Sequence, residues 1–227
     1  MRILVVEDDE GIACGVLGAM RRENWAADVA PSVAAAWSAL SSEPFDIVLL
    51  DLSLPDGSGA DVLQRVRQAP PDTLPAPTMP VLVMAARDDM SVRIAMLDMG
   101  ADDYMTKPCN AGELAARVRA LHRRATGHAQ PLLRWGDFQV DPAARRVHRA
   151  DADIELSARE FGVLIALLEA SPRVLSRQQI ETSLCSWSHP LESNAIEVHV
   201  HHLRKKLGGH VIRTLRGVGY FVPRDAA

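Results

Sequence analysis

The chain has 227 residues, 48% hydrophobic and 24% charged, with a formal net charge of −4 at pH 7. That length suits two domains, the composition excludes intrinsic disorder, and no apolar stretch reaches the roughly 18 residues of a membrane span. The charge is uneven: residues 1–131 carry 12 basic against 18 acidic side chains, whereas residues 132–227 carry 13 against 11. Within the second part, residues 198–227 hold six basic groups against the single acid Asp225. An acidic half joined to a half with a basic tail fits a regulatory module attached to a nucleic-acid reader. The N-terminus carries acids where a secretory signal would be basic, so a cytoplasmic protein is expected. Cys14, Cys109 and Cys185 are far apart and read as reduced thiols.

The chain opens MRILVVEDDE, an apolar run at 2–6 that closes on Glu7, Asp8, Asp9 and Glu10. Similar runs follow at 46–50 (DIVLL) and 81–85 (VLVMA), with weaker ones at 27–30 (ADVA) and 103–106 (DYMT). The strong runs are too uniformly apolar for a sheet with one wet face, which predicts parallel strands covered on both sides. Helical patterns lie between them near 11–23, 32–41, 59–68, 90–99 and 110–124. Five β/α repeats predict a doubly wound parallel sheet.

In such a sheet, ligands bind at the carboxyl ends of the strands. Glu7 and Asp8 leave the first strand there, Asp51 leaves the third, and Lys107 leaves the last just before Pro108. A strand-end Asp alone is more often a cap or turn former, and a lone Lys before Pro is usually solvated. Convergence of all four on one edge is what carries the functional reading. Mg²⁺ gives the carboxylates a reason to gather, being a hard cation that takes a few carboxylates and bridges to phosphate oxygens. Asp51 is the acid placed to act as nucleophile toward phosphorus, and Lys107 would pair with a phosphoryl oxygen.

With those residues in place, the first 124 residues resemble the receiver domain of bacterial two-component response regulators. VVEDD, DIVLLDLSLPDGSG, ARDD and GADDYMTKP occur in order and at suitable spacing. The resemblance implies that Asp51 accepts a phosphoryl group from a sensor histidine kinase. It further implies that Glu7, Asp8, Asp51 and the backbone carbonyl of Leu52 or Ser53 hold Mg²⁺, and that Lys107 contacts the phosphoryl group.

After a linker at 125–131, the second half begins with strand-like pieces, LLRWGDFQVD and RRVHRADADIEL. SAREFGVLIALLEAS is an amphipathic helix opened by an S-x-x-E capping box, Ser157 with Glu160. VLSRQQIETSLCSW predicts a second helix and ESNAIEVHVHHLRKKLG a third, while VIRTLRGVGYFV carries a hairpin signal around Gly217 and Gly219. Three helices and a terminal hairpin describe a winged helix-turn-helix over 132–227. The EFGVL, VHV-x-x-LR-x-KL and I-x-T-x-RG-x-GY stretches resemble the OmpR/PhoB-type response regulators, and SLCSW with SNAIEVHVHHLRKKLG resembles the QseB/PmrA-like branch. On the third helix Ile196, Val200, Leu203 and Leu207 recur at helical spacing and predict a core face. The resemblance implies that Asn194, Ala195, Val198, His199, His201, His202, Arg204 and Lys205 face the major groove, and that Arg213, Thr214 and Arg216 in the wing reach the backbone or minor groove. His199 and His202 are helical neighbours with nothing to complete a zinc tetrahedron. The histidines are expected to make DNA affinity rise as pH falls.

The sequence departs from the receiver pattern at Ala85, where the family presents Thr or Ser to donate to the phosphoryl group and draw the switch aromatic, here Tyr104, inward. A methyl cannot donate. Either phosphorylation controls this chain less tightly, or Lys107 and packing compensate. The 70–80 connection, PPDTLPAPTMP, reads as a rigid surface loop, and Cys109 as a small buried thiol or a redox sensor. Family members dimerise through the fourth helix, fifth strand and fifth helix; matching residues are Arg93, Asp98, Asp102 and Asp103 against Glu113, Arg117 and Arg124. The expected cross-subunit pairs are Arg93 with Glu113, Asp103 with Arg117 and Asp102 with Arg124. The function so implied is non-enzymatic: a phosphorylated regulator that dimerises, binds tandem half-sites in promoter DNA and meets RNA polymerase. The rival is a regulator that binds DNA irrespective of phosphate. A magnesium-dependent phosphatase would leave residues 132–227 unexplained.

Overall fold

A computed structural model of the chain describes residues 1–127, 132–150, 152–187 and 195–224. It divides into two compact units, one over residues 2–127 and one in the remainder, each with its own core.

In the first unit, β1 (Arg2–Val6), β2 (Ala26–Ala30), β3 (Ile47–Asp51), β4 (Val81–Ala85) and β5 (Asp103–Thr106) form an all-parallel sheet of order β2-β1-β3-β4-β5. β1, β3 and β4 are buried at every position, as strands covered on both faces must be. Edge strand β2 instead alternates buried and half-buried residues, which is why its sequence signal is weak. Successive side chains point to opposite faces. Leu4, Val6, Val48, Leu50, Val81 and Val83 therefore enter one core, shared with α2 (Val33–Ser42) and α3 (Gly59–Arg67). Ile3, Val5, Ile47, Leu49, Leu82 and Met84 are buried on the opposite face. There α1 (Glu10–Arg22) and α5 (Ala111–Ala125) are tied by Arg119 to Glu23 at 2.9 Å. α4 (Met90–Asp98) completes the unit. Each helix starts at a side chain that accepts from a backbone N–H of its first turn: Asp9, Ser32, Ser58, Asp89 and Asn110. A two-residue hairpin (Ser53–Leu54 with Gly57–Ser58) links β3 to α3.

The second unit opens with an antiparallel sheet of β6 (Leu133–Trp135), β7 (Phe138–Asp141), β8 (Arg146–Arg149) and β9 (Ala152–Asp153). The two strand-like pieces each become a pair, because Gly136, Arg145 and Ala150 turn the chain at positive φ. α6 (Ala158–Ala170) starts at the Ser157–Glu160 capping box. α7 spans only Arg177–Leu184, shorter than the expected helix. Leu175 ahead of it is extended and exchanges two 2.9 Å backbone hydrogen bonds with Tyr220, and Ser176 then caps the helix. α8 (Ala195–Leu207) buries Ile196, Val200, Leu203 and Leu207, and β10 (Arg213–Leu215) with β11 (Gly219–Phe221) forms the hairpin. Gly217 turns it at φ +75°. Among the described residues no helix is long and apolar enough to cross a membrane.

Candidate functional site

The four opening acids divide by geometry. Asp9 caps α1, accepting from Ile12 N–H at 2.9 Å, and Glu10 starts the helix, so only Glu7 and Asp8 turn to the sheet edge. There Glu7 is 1% exposed and Asp51, at the end of β3, 5%. One carboxylate oxygen from each of Glu7, Asp8 and Asp51 lies within 4.8 Å of the others. Lys107, carried past the end of β5, places Nζ 2.5 Å from Glu7 Oε2 and 2.8 Å from Asp51 Oδ2. Burial pushes the Glu7 carboxyl up, and Lys107 offsets only part of that. Burial works against the Lys107 ammonium, but its bonds to Asp51 and Glu7 outweigh that and raise it, so it stays charged. Three carboxylates against one ammonium leave a net of two negative charges on hard oxygen donors. That set fits a divalent hard cation.

The loop after Asp51 is held from two sides. Gly59 N–H donates to the Leu52 carbonyl at 3.0 Å, and a Cβ on Gly59 would meet the Asp51 carbonyl oxygen at 2.0 Å, so only glycine lets α3 start there. Asp56 reaches across to α2 and accepts from Val33 N–H at 2.7 Å and Ala34 N–H at 2.9 Å; these bonds hold its carboxyl below the ordinary value. The sequence reading passed over Asp56. Its signal was the P-D-G turn beside the acceptor, but the partner backbone comes from a helix distant in sequence.

Ala85 ends β4 at 6% exposure, and Tyr104 lies inward at 5% in the same buried cluster. Its hydroxyl donates to the Arg87 carbonyl at 3.2 Å, and the Arg93 guanidinium sits 5.2 Å from the ring centroid. Cys109 is half-buried, its Sγ 3.7 Å from the Thr106 carbonyl, and burial pushes its thiol up. That reduces its thiolate fraction.

The residues expected to pair across a dimer find partners within one chain. Arg117 binds Asp103 at 2.9 Å and Glu113 at 2.7 Å. Arg93 binds Asp88 at 2.6 Å rather than Glu113, and Asp102 binds Arg67 at 2.7 Å rather than Arg124. Arg124 donates to the Ala120 carbonyl at 3.4 Å, and Asp98 is exposed. The sequence reading also missed Met90, Ile94 and Leu97, which are 60%, 52% and 43% exposed along α4. Their i, i+4, i+7 spacing is that of any core-facing helix stripe, and only their exposure sets them apart.

In the second unit, the residues expected to meet DNA lie on α8 and the hairpin. Val198, His201, His202, Lys205, Arg213, Thr214 and Arg216 are exposed. His199 is half-buried, and burial pushes its imidazole down, so its share of any charge gain at low pH moves to lower pH. Lys206 donates to Glu160 Oε2 at 2.8 Å and to the Glu155 carbonyl at 2.9 Å. His202 Nδ1 lies 3.4 Å from Glu160 Oε1. Arg204 turns toward the hairpin. Ala195 is the first residue of α8, and Asn194 lies outside the described residues.

A parallel α/β unit with an acid-and-lysine pocket at its strand ends, followed by a winged helix with a basic exposed edge, defines a signal-receiving domain joined to a DNA-binding domain. Residues 3–119 match the response regulator receiver domain family, and residues 151–222 the C-terminal domain of transcriptional regulatory proteins. The chain is similar to the response regulator protein PmrA of Pseudomonas aeruginosa, 47% identical with both chains fully covered. It is also similar to the transcriptional regulatory protein QseB of Escherichia coli O157:H7, at 41% identity over 97% of this chain and 98% of that one. Among solved structures, the receiver domain of the Francisella response regulator 1452 covers 54% of this chain and 97% of its own at TM-score 0.50 and 28% identity. The chain belongs to the OmpR/PhoB-type two-component response regulators. Control without phosphorylation gains no support from these relatives.

Proposed function

We propose that this regulator is switched by phosphorylation of Asp51. The observation that carries the reading is the Lys107 ammonium bridging Glu7 and Asp51 at the sheet edge. Glu7, Asp8, Asp51 and the Ser53 carbonyl would hold Mg²⁺, which when bound neutralises charge on the incoming phosphoryl oxygens. The Gly59 hydrogen bond takes one of the two lone pairs of the Leu52 carbonyl, which favours the Ser53 carbonyl as the ligand. An Asp51 carboxylate oxygen attacks the phosphorus carried by the kinase histidine; the O–P bond forms, the N–P bond breaks, and the imidazole nitrogen leaves with the electron pair. Lys107 exchanges a carboxylate partner for a phosphoryl oxygen.

Two phosphorylated receivers then join through α4, β5 and α5, where Arg93, Asp98, Asp102, Asp103, Glu113, Arg117 and Arg124 flank the apolar stripe of Met90, Ile94 and Leu97. The paired second units bind tandem half-sites in promoter DNA in the cytoplasm, where RNA polymerase is the further partner. Sedimentation of the wild type and of Asp51→Ala in Mg²⁺, with and without beryllofluoride, tests this. The wild type alone should pass from monomer to dimer. If neither responds, the phosphate switch is refuted and the constitutive rival takes its place.

A further inference from the structure

We infer that Arg204, on the face of α8 assigned to DNA, is a positioning residue that fixes the wing to the recognition helix and touches no DNA itself. The inference rests on the DNA-binding reading of the second unit and assigns one side chain within it a different task. Arg204 Nε donates to the Ile212 carbonyl at 2.9 Å, and Nη2 donates to Thr214 Oγ1 at 2.6 Å. Its guanidinium carbon lies 5.9 Å from the centroid of the Tyr220 ring on the opposite strand. One fork therefore spans the entry to β10, its second residue and β11. A guanidinium is a rigid, planar donor set, so two donated bonds and a ring contact fix the hairpin in direction as well as distance.

The opposite side of the hairpin is pinned too. Tyr220 exchanges backbone hydrogen bonds with Leu175, and Gly219 packs so closely that a Cβ there would meet the Leu175 carbonyl oxygen at 1.9 Å. The wing is thus clamped between α8 and the segment entering α7. By accepting from Arg204, Thr214 Oγ1 fills one lone pair, and its own proton is left to donate outward. Thr214 is exposed, between the exposed Arg213 and the equally exposed hairpin Arg216. Arg204 acts by aiming these three. On the same helix the exposed Lys206 likewise spends its ammonium within the unit, on the Glu160 carboxylate and the Glu155 carbonyl.

The test uses the full chain and a duplex that the wild type enriches from a random pool. Arg204→Ala should weaken binding about tenfold, the scale of one charge-assisted contact, and Arg204→Lys nearly as much because an ammonium keeps the charge without the fork. The decisive comparison repeats Arg204→Ala in a chain already carrying Arg213→Ala, Thr214→Ala and Arg216→Ala. A brace has nothing left to aim there, so no further loss and no further change in salt dependence are expected. A direct phosphate contact would instead multiply the losses and lower the slope of log affinity against log salt by about 0.9; that result overturns the inference. Hydrogen exchange of the free protein supplies an independent check. Arg204→Ala should unprotect the amides of β10 and β11 while α6 keeps its protection; unchanged wing protection also overturns it. Failure to enrich any duplex would refute the DNA-binding reading itself, a separate outcome.

Discussion

At Ala85 a methyl stands where a hydroxyl would serve the proposed phosphate switch. Tyr104 is buried in the same cluster as Ala85, and its hydroxyl donates to the Arg87 carbonyl. A threonine at position 85 would add a hydroxyl to that cluster and would offer the phosphoryl group a hydrogen bond. Such a bond to a charged group is worth roughly 1.5–3 kcal/mol, one to two decades in a two-state equilibrium. Ala85→Thr should enlarge the gain in dimerisation on adding beryllofluoride about tenfold or more; sedimentation equilibrium reads it, and an unaltered gain would count against it. Glu7 gives a prediction of opposite flavour. Because burial raises its carboxyl in the folded state, the folded protein holds that proton more tightly than the unfolded chain. Its ionised form therefore costs stability as pH rises from the unfolded value, about 4.3, through the raised folded one. In EDTA at pH 7, Glu7→Gln should melt above the wild type, and in Mg²⁺ the order should reverse. Equal melting temperatures in both buffers would sink this.

At the scale of elements, what was legible followed from local chemistry. The receiver helices begin at Asp9, Ser32, Ser58, Asp89 and Asn110, all residues whose short side chains cap a helix, and α6 begins at its capping box. The first turn of α7 was misread for a tertiary reason: Leu175 pairs with Tyr220, and nothing near Leu175 in sequence announces that partner. Asp56 was missed for the same reason, its acceptors being matched to α2 backbone. Gly219 makes the tertiary bridge testable. Gly219→Ala would force a carbon to within 1.9 Å of the Leu175 carbonyl, so the bridge must open. The expected result is a loss of roughly 1–3 kcal/mol in the second unit's unfolding transition, together with weaker DNA binding. Calorimetry beside a binding titration measures both, and an unperturbed wing in hydrogen exchange would contradict the bridge's role.

For the molecule as a whole, ion pairs and apolar surface compete as the basis of the proposed dimerisation. Arg117 already holds Asp103 and Glu113 within one chain, so a cross-subunit pair must replace a bond rather than add one. Exposed pairs contribute only about 0–1 kcal/mol each. Met90, Ile94 and Leu97 have no such cost, and burying apolar surface contributes about 25 cal/mol per Å². Ile94→Glu should therefore abolish beryllofluoride-induced dimerisation while fluorine NMR still shows the fluoride bound at Asp51. A dimer of undiminished strength would assign the interface to charge instead. Charges stand out in a sequence, whereas three apolar residues on a helix look like core until their exposure is known, which is why the stripe went unread. A last consequence follows from Arg67, whose fork donates to the Pro77, Met79 and Gly100 carbonyls and to Asp102 at 2.7–2.9 Å. The chain re-entering the sheet is thus anchored behind the exposed residues 70–74, and each doubling of a loop costs only about 0.6 kcal/mol. Asp72 and Thr73 mark a graft point where a fluorescent reporter can be spliced into the chain without loosening the strands that follow.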